Sequence, residues 1–320
     1  MQGANDQVME QIISVILPIF IILSVGYLSL RLNMLNTTHV QAIIQFIIKV
    51  SLPAFLLYAL STRSFDEIWQ MPYFLGYLLG SLILFFSAYT LYRRFFKVPR
   101  HQAAVIGLGS SMSNTGFIGT AVLTLLIAQA AVPYLAMTLV IENIILLSLM
   151  LILIESSDQQ DKALSTIILS TLQNLAKNPI ILSIILGLIC SVYTVQWPVS
   201  LELPLKSLAS TASPLAIFVI GASLATLTIK DLSKDVLIVC TIKLLIMPIV
   251  VTSIIYIMPG STAKMAYAAL ILSALPMATA FGIYGQLNGI AEQSVASVML
   301  STLLSLVSIA LIMQFIPSPF

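Results

Sequence analysis

Gly107-Leu108-Gly109-Ser110-Ser111-Met112-Ser113-Asn114-Thr115-Gly116-Phe117-Ile118-Gly119-Thr120 sits inside an apolar run long enough to cross a bilayer. Its helical propensity is poor: glycine loses the most backbone entropy, and Ser, Asn and Thr compete for backbone hydrogen bonds. Backbone at membrane depth leaves helical geometry only where it is buried in protein or lines a wet cavity. A break near Asn114 to Gly119 therefore predicts a cavity at that depth.

The rest of the chain places this run in lipid. Of 320 residues, 59% are hydrophobic and 8% charged, with a mean hydropathy of +1.06. Soluble domains carry roughly 25% charged residues to keep their surfaces wet. Read on a template of about 20 apolar residues, the sequence predicts an all-α integral membrane protein with ten spans. They fall at 8–30, 38–60, 71–92, 102–127, 132–154, 179–195, 204–227, 236–257, 264–288 and 292–315. No cleavable signal is expected at the N-terminus, where Asp6 and Glu10 replace the usual basic residues. The net charge of +2 gives no reason to expect nucleic-acid binding.

Between the fifth and sixth spans lies the most polar interruption, Glu155 to Asn178. Leu164, Ile167, Ile168, Leu172 and Leu175 share one helical face there, which predicts a surface helix over 162–177. The chain thus divides into 1–155, a linker at 156–178, and 179–320. Basic residues in short loops orient it. With the N-terminus outside, Arg31, Arg93, Arg94, Lys97, Arg100, Lys162, Lys177, Lys230 and Lys234 are cytoplasmic. Only Arg63, Lys206 and Lys264 are then external, so both termini are expected outside the cytoplasmic membrane.

Five spans per half means that copied halves enter the membrane from opposite sides. Ser51-Leu52-Pro53-Ala54-Phe55 and Ala212-Ser213-Pro214-Leu215-Ala216 match at an offset of 161 residues. The fourth and ninth spans are expected to break at Ser113-Asn114 and Leu275-Pro276, an offset of 162, which favours two inverted five-helix repeats. The ninth span reads Ser273-Ala274-Leu275-Pro276-Met277-Ala278-Thr279-Ala280-Phe281-Gly282. Pro276 lacks an N–H and frees the carbonyl of Leu272. Either break alone fits small residues that let helices pack closely. Together they favour a midplane site where half-helix N-termini attract a carboxylate.

Few other residues carry chemistry. Glu142, beside Asn143 within the fifth span, is a proton-coupling candidate, because low dielectric favours its neutral form; a structural carboxyl is the other reading. Lys49 and Lys243 could attract an anion, but snorkelling or pairing with a carboxylate is expected first. Tyr284 and Gln286 follow the ninth-span break and either line the pathway or pack. Cys190 and Cys240 sit in apolar runs and read as buried hydrophobes. His39 and His101 lie at span ends, with no HExxH, paired-aspartate or Cys/His cluster, so no metal or cofactor is expected. Ser111 and Ser113 have no evident base, and no GxxxxGK[ST] motif occurs. An enzyme is not expected.

Asn114-Thr115-Gly116-Phe117-Ile118-Gly119 resembles a signature of the auxin efflux carrier family. So do Ala212-Ser213-Pro214-Leu215-Ala216 with Gly221 and Leu224, and Leu275-Pro276. The similarity extends over the chain through its ten-span layout, and the short linker resembles prokaryotic members, including permeases assigned to malonate. It implies that broken helices four and nine cross and frame the site, that helices one, two, six and seven form a scaffold, and that the protein is a homodimer. A proline common in the family after the second glycine is replaced by Thr120-Ala121, so the break is expected to rest on Gly116 and Gly119. The candidate substrate contacts are Ser113, Asn114, Thr115, Gly116, Gly119, Pro276, Met277, Ala278 and Thr279. The expected function is alternating-access transport of a small mono- or dicarboxylate, with proton or sodium coupling open. A sodium symporter of the bile-acid type, a receptor and a channel are the alternatives.

Overall fold

The computed structural model describes residues 21–158, 177–225, 233–316 and 318–319. The start of the first predicted span and the surface helix expected at 162–177 fall almost wholly outside these residues. Every regular element among the described residues is a helix. Five are long and apolar enough to cross a membrane, and three more apolar helices are shorter.

The chain opens with α1 (Ile21–Arg31) and α2 (Thr37–Ser61). Asn36 starts α2 with a capping box, its Oδ1 accepting from the His39 N–H while His39 Nδ1 accepts from the Asn36 N–H. That structural task accounts for one of the two histidines. Next come α3 (Met71–Arg94), α4 (Arg100–Ser111), α5 (115–127) and α6 (131–158). Ala128, at φ 47°, reverses the chain between α5 and α6. The second half holds α7 (Pro179–Val192), α8 (Val199–Ser210), α9 (Ala212–Ala225) and α10 (Lys234–Ile257). It ends with α11 (Ala263–Ser273), α12 (Thr279–Leu287) and α13 (Ala291–Phe315).

Most predicted boundaries agree with these helices to within three residues. The seventh span starts earlier, at Val199, because Pro204 is accommodated inside α8 and the chain turns instead at Thr211. Four helices also contain a wide π-helical turn: Ile47–Ser51, Thr115–Gly119, Ile141–Leu146 and Ile242–Ile246. Pro53 and Pro248 each follow such a turn by two residues. The wider turn absorbs the hydrogen bond that proline does not make.

Two packing groups result. In one, α7 and α8 lie against α2, and α1 crosses α9 with near backbone contact. A Cβ on Gly26 would sit 2.0 Å from the Phe218 carbonyl oxygen, and one on Gly221 would sit 1.9 Å from that of Leu23. Only glycine permits that approach. In the other group, α3 packs on α4 and α10, and α12 packs on α4 and α13. Leu75, Leu79, Ile83 and Phe86 form an exposed apolar stripe on α3, while Tyr73, Tyr77 and Phe85 are fully buried. Apolar residues face outward as well as inward, as a lipid solvent requires.

Candidate functional site

The fourth and ninth spans both break, and the breaks touch. Helix α4 stops at Ser111, Met112 to Asn114 run non-helically, and α5 begins at Thr115. Helix α11 stops at Ser273, and α12 begins at Thr279. Ser113 and Met277 pair as a short antiparallel bridge. The Asn114 N–H donates to the Pro276 carbonyl at 2.9 Å, and the Ala278 N–H donates to that of Met112 at 3.3 Å. Part of the backbone hydrogen bonding lost by leaving the helix is recovered across the crossing.

The break includes Ser113-Asn114, as the sequence predicts, but it does not extend to Gly119. The first break lies at 112–114, and Gly116 and Gly119 sit inside the helical turn that follows it. The glycines do not carry the break. In a continuous helix the Ser113 N–H would bond to Gly109; here it donates to Glu142 Oε1 at 2.9 Å. Gly119 serves close packing instead, since a Cβ there would sit 2.9 Å from Leu275 Cδ1.

The crossing separates two unlike surroundings. On one side is a cavity of about 510 Å³. Asn114, Thr279, Gln41, Gln45, Gln286 and Thr302 supply its polar lining, and Phe117, Val298 and Met299 part of its apolar wall. Among the described residues, no Lys, Arg, Asp or Glu lines it. The first N–H groups of α5 and α12 have no partner within their own helices, and the positive dipole ends lie there. The cavity runs from the crossing toward the starts of α2 and α13 and the end of α12. That end also carries the basic loop before α4, joined by the Gln102 side chain donating to the Asn288 carbonyl at 3.1 Å.

The other side is dry and charged. Glu142 is 1% exposed and Lys243 is fully buried. Ser113 links them, because Lys243 Nζ donates to Ser113 Oγ at 2.9 Å while the Ser113 N–H serves Glu142. Lys243 also donates to the Ser273 carbonyl at 2.6 Å, and the Tyr77 hydroxyl donates to Glu142 Oε1 at 3.4 Å. The Met277 N–H, which would close on Ser273 in an intact helix, goes to Ser301 Oγ at 3.2 Å instead. That diversion leaves the Ser273 carbonyl for the lysine. Glu142 and Lys243 each sit in a π-helical turn. Thr115 Oγ1 and Glu142 Oε2 are buried without a hydrogen bond of their own.

The candidate residues therefore divide. Asn114 and Thr279 reach the cavity, and Gly116 adjoins the start of α5. The side chain of Ser113 faces the charged side, and Thr115 is buried. Pro276, Met277 and Ala278 are buried and contribute backbone to the crossing. Gln286 lines the cavity and Tyr284 packs against the core, while Lys49 is exposed. Sequence reasoning passed over Tyr77, Gln41, Gln45 and Thr302. The two glutamines, four residues apart near the start of an apolar span, were a readable signal of a polar face. Among the described residues, no group of three His, Cys, Asp or Glu could hold a metal ion.

The chain is similar to known transporters. A protein of Rhizobium meliloti (strain 1021) named "Putative malonate transporter" is 22% identical over 311 residues, covering 97% of each chain. A protein of Escherichia coli (strain K12) named "Uncharacterized transporter YfdV" is 27% identical over 241 residues, covering 73% of this chain and 75% of its own. Residues 11–313 match the family described as "Membrane transport protein". Nearly the whole chain is covered, and it belongs to this family of membrane transport proteins, the auxin efflux carriers.

Proposed function

We propose that the chain is a secondary carrier that moves a small mono- or dicarboxylate across the cytoplasmic membrane by alternating access. One observation carries this reading: a cavity at the crossing of two broken helices, bordered by two half-helix N-termini and by neutral hydrogen-bonding side chains. Backbone N–H groups and a dipole end hold a carboxylate without a cation. Asn114 and Thr279 take its oxygens directly. Gly116, Gly119, Pro276, Met277 and Ala278 shape the backbone, Thr115 opens α5, and Ser113 ties the site to Glu142. That carboxyl is the proton-coupling group in this reading. The relative named for malonate makes a short dicarboxylate the first substrate to try.

The wider architecture in this reading is ten spans in two inverted repeats, 1–155 and 179–320, joined by the linker 156–178 and assembled as a homodimer. Contacts on the pseudo-twofold axis support the repeat. Asn114 bonds to Pro276, its match at 162, and Ser51 Oγ lies 2.7 Å from Thr211 Oγ1, one residue before its own match, Ala212. A residue on such an axis must meet its own counterpart. With the basic loops in the cytoplasm, the cavity opens inward, and both termini lie outside.

The test is counterflow in proteoliposomes loaded with unlabelled malonate. A carrier accumulates labelled malonate transiently against its gradient. A channel gives equilibration alone, and a receptor gives no flux; either result ends the carrier reading.

A further inference from the structure

A fully buried lysine within a membrane span is costly to maintain, and its position is specific. We infer that Lys243 is a resident cation: its ammonium fills the place between the ends of α4 and α11 where a coupling sodium ion would bind, and so removes the need for one. The coupling role rests on the carrier reading above; the occupied position does not.

Three observations support this. The first is the donor set. Nζ is held by the Ser273 carbonyl and the Ser113 hydroxyl, with the Glu142 carboxyl on the other side of the same serine. Carbonyl, hydroxyl and carboxylate oxygens are what a hard monovalent ion takes in membrane carriers, where unwound backbone and half-helix C-termini supply them. The second is the direction of the dipoles. Helices α4 and α11 present their negative ends to this side of the crossing, while α5 and α12 begin beside the cavity. A positive charge fixed at the former compensates those ends and leaves the latter free for an anion. The third is how the lysine arrives. It lies in the π-helical turn Ile242–Ile246, and its side chain runs inward; Lys49 also lies in such a turn, yet it is exposed.

Glu142 then has a countercharge that comes from the protein. Taking away the ammonium leaves an oxygen cluster with a carboxylate and no cation, which is a vacant sodium site.

Thermal unfolding of the purified full-length protein, in sodium chloride and in choline chloride at equal ionic strength, tests this. The wild type is expected to melt at the same temperature in both salts. Lys243→Met should melt lower in choline and recover by at least about 3 °C in sodium. The double variant Lys243→Met with Glu142→Gln should not respond to sodium. A sodium-specific rise in the wild type overturns the inference. So does a Lys243→Met protein that is stable and indifferent to sodium. Should Lys243→Met fail to fold in either salt, the wild-type comparison decides alone. No substrate enters the assay, so failure of transport and failure of this inference are separate results.

Discussion

The two sides of the helix crossing are built from adjacent residues and solve opposite problems. Asn114 looks into a cavity with no charge among its described lining residues, and Ser113, its neighbour, joins a buried carboxyl to a buried ammonium. The wet side keeps its donors uncommitted so that a solute can use them. The dry side commits its donors to fixed partners, because an unpaired charge at this depth is costly. One non-helical residue pair between α4 and α5 thus divides binding from integrity. Variants on the dry side should lower stability, and those on the wet side should lower affinity alone.

Glu142→Ala should show the largest effect. It removes the acceptor of the Ser113 N–H and the countercharge of Lys243, and should cost roughly 3–5 kcal/mol. Denaturant or thermal unfolding of the purified protein measures it. Glu142→Gln keeps a hydrogen-bond acceptor and should fold far better, while losing accumulation driven by a pH gradient. Near-native stability in Glu142→Ala would show that the dry side is not what holds the crossing.

Ser113→Ala is next. It leaves Lys243 with the Ser273 carbonyl alone, at a cost of about 1.5–3 kcal/mol for a hydrogen bond to a charged group. The backbone bond from Ser113 to Glu142 survives, so the break itself should persist. Affinity for malonate should fall less than stability does. The opposite order would place Ser113 on the wet side.

These two breaks also show what could be read in advance. The ninth-span break is local: Pro276 has no N–H to give, and its position was legible from that residue. In the fourth span the weak helix formers mark a break from Ser113-Asn114 through Gly119, and only its first part is real: the chain is non-helical at 112–114. Its cause is tertiary, since Glu142 and Pro276 take the N–H groups of Ser113 and Asn114. A carboxylate 29 residues away has no signature in local propensity. Span limits were legible because hydrocarbon thickness sets their length. Snorkelling or pairing with a carboxylate is the expectation for Lys243, and full burial excludes the first; the turn that re-aims it depends on packing and leaves no local signature.

On the wet side, Asn114→Ala should leave unfolding within about 0.5 kcal/mol of wild type. The side chain is partly exposed to the cavity and has no hydrogen-bond partner among the described residues that would be stranded. Malonate affinity should fall by about tenfold or more, as expected for losing one hydrogen bond to a charged group. Isothermal titration and uptake assays report it. Unchanged affinity would remove Asn114 from the site and leave the half-helix N-termini as the sole grip.

Gln286→Ala should have the smallest effect, and its size locates the solute. Gln286 lies seven residues after Thr279 along α12, which places it about 10 Å further from the crossing. A dicarboxylate as short as malonate, anchored by one carboxylate at Asn114 and Thr279, does not span that distance. Its affinity should change by no more than roughly twofold, within the reach of altered cavity hydration. A longer dicarboxylate should lose more, because its second carboxylate meets the glutamine. Comparing the two acids on one variant therefore measures how deep the solute sits. If malonate loses as much as the longer acid, the solute rests near the mouth among Gln41, Gln45 and Gln286. The half-helix N-termini would then steer the anion inward without holding it, and the sharp division between the two sides of the crossing would fail at its wet edge.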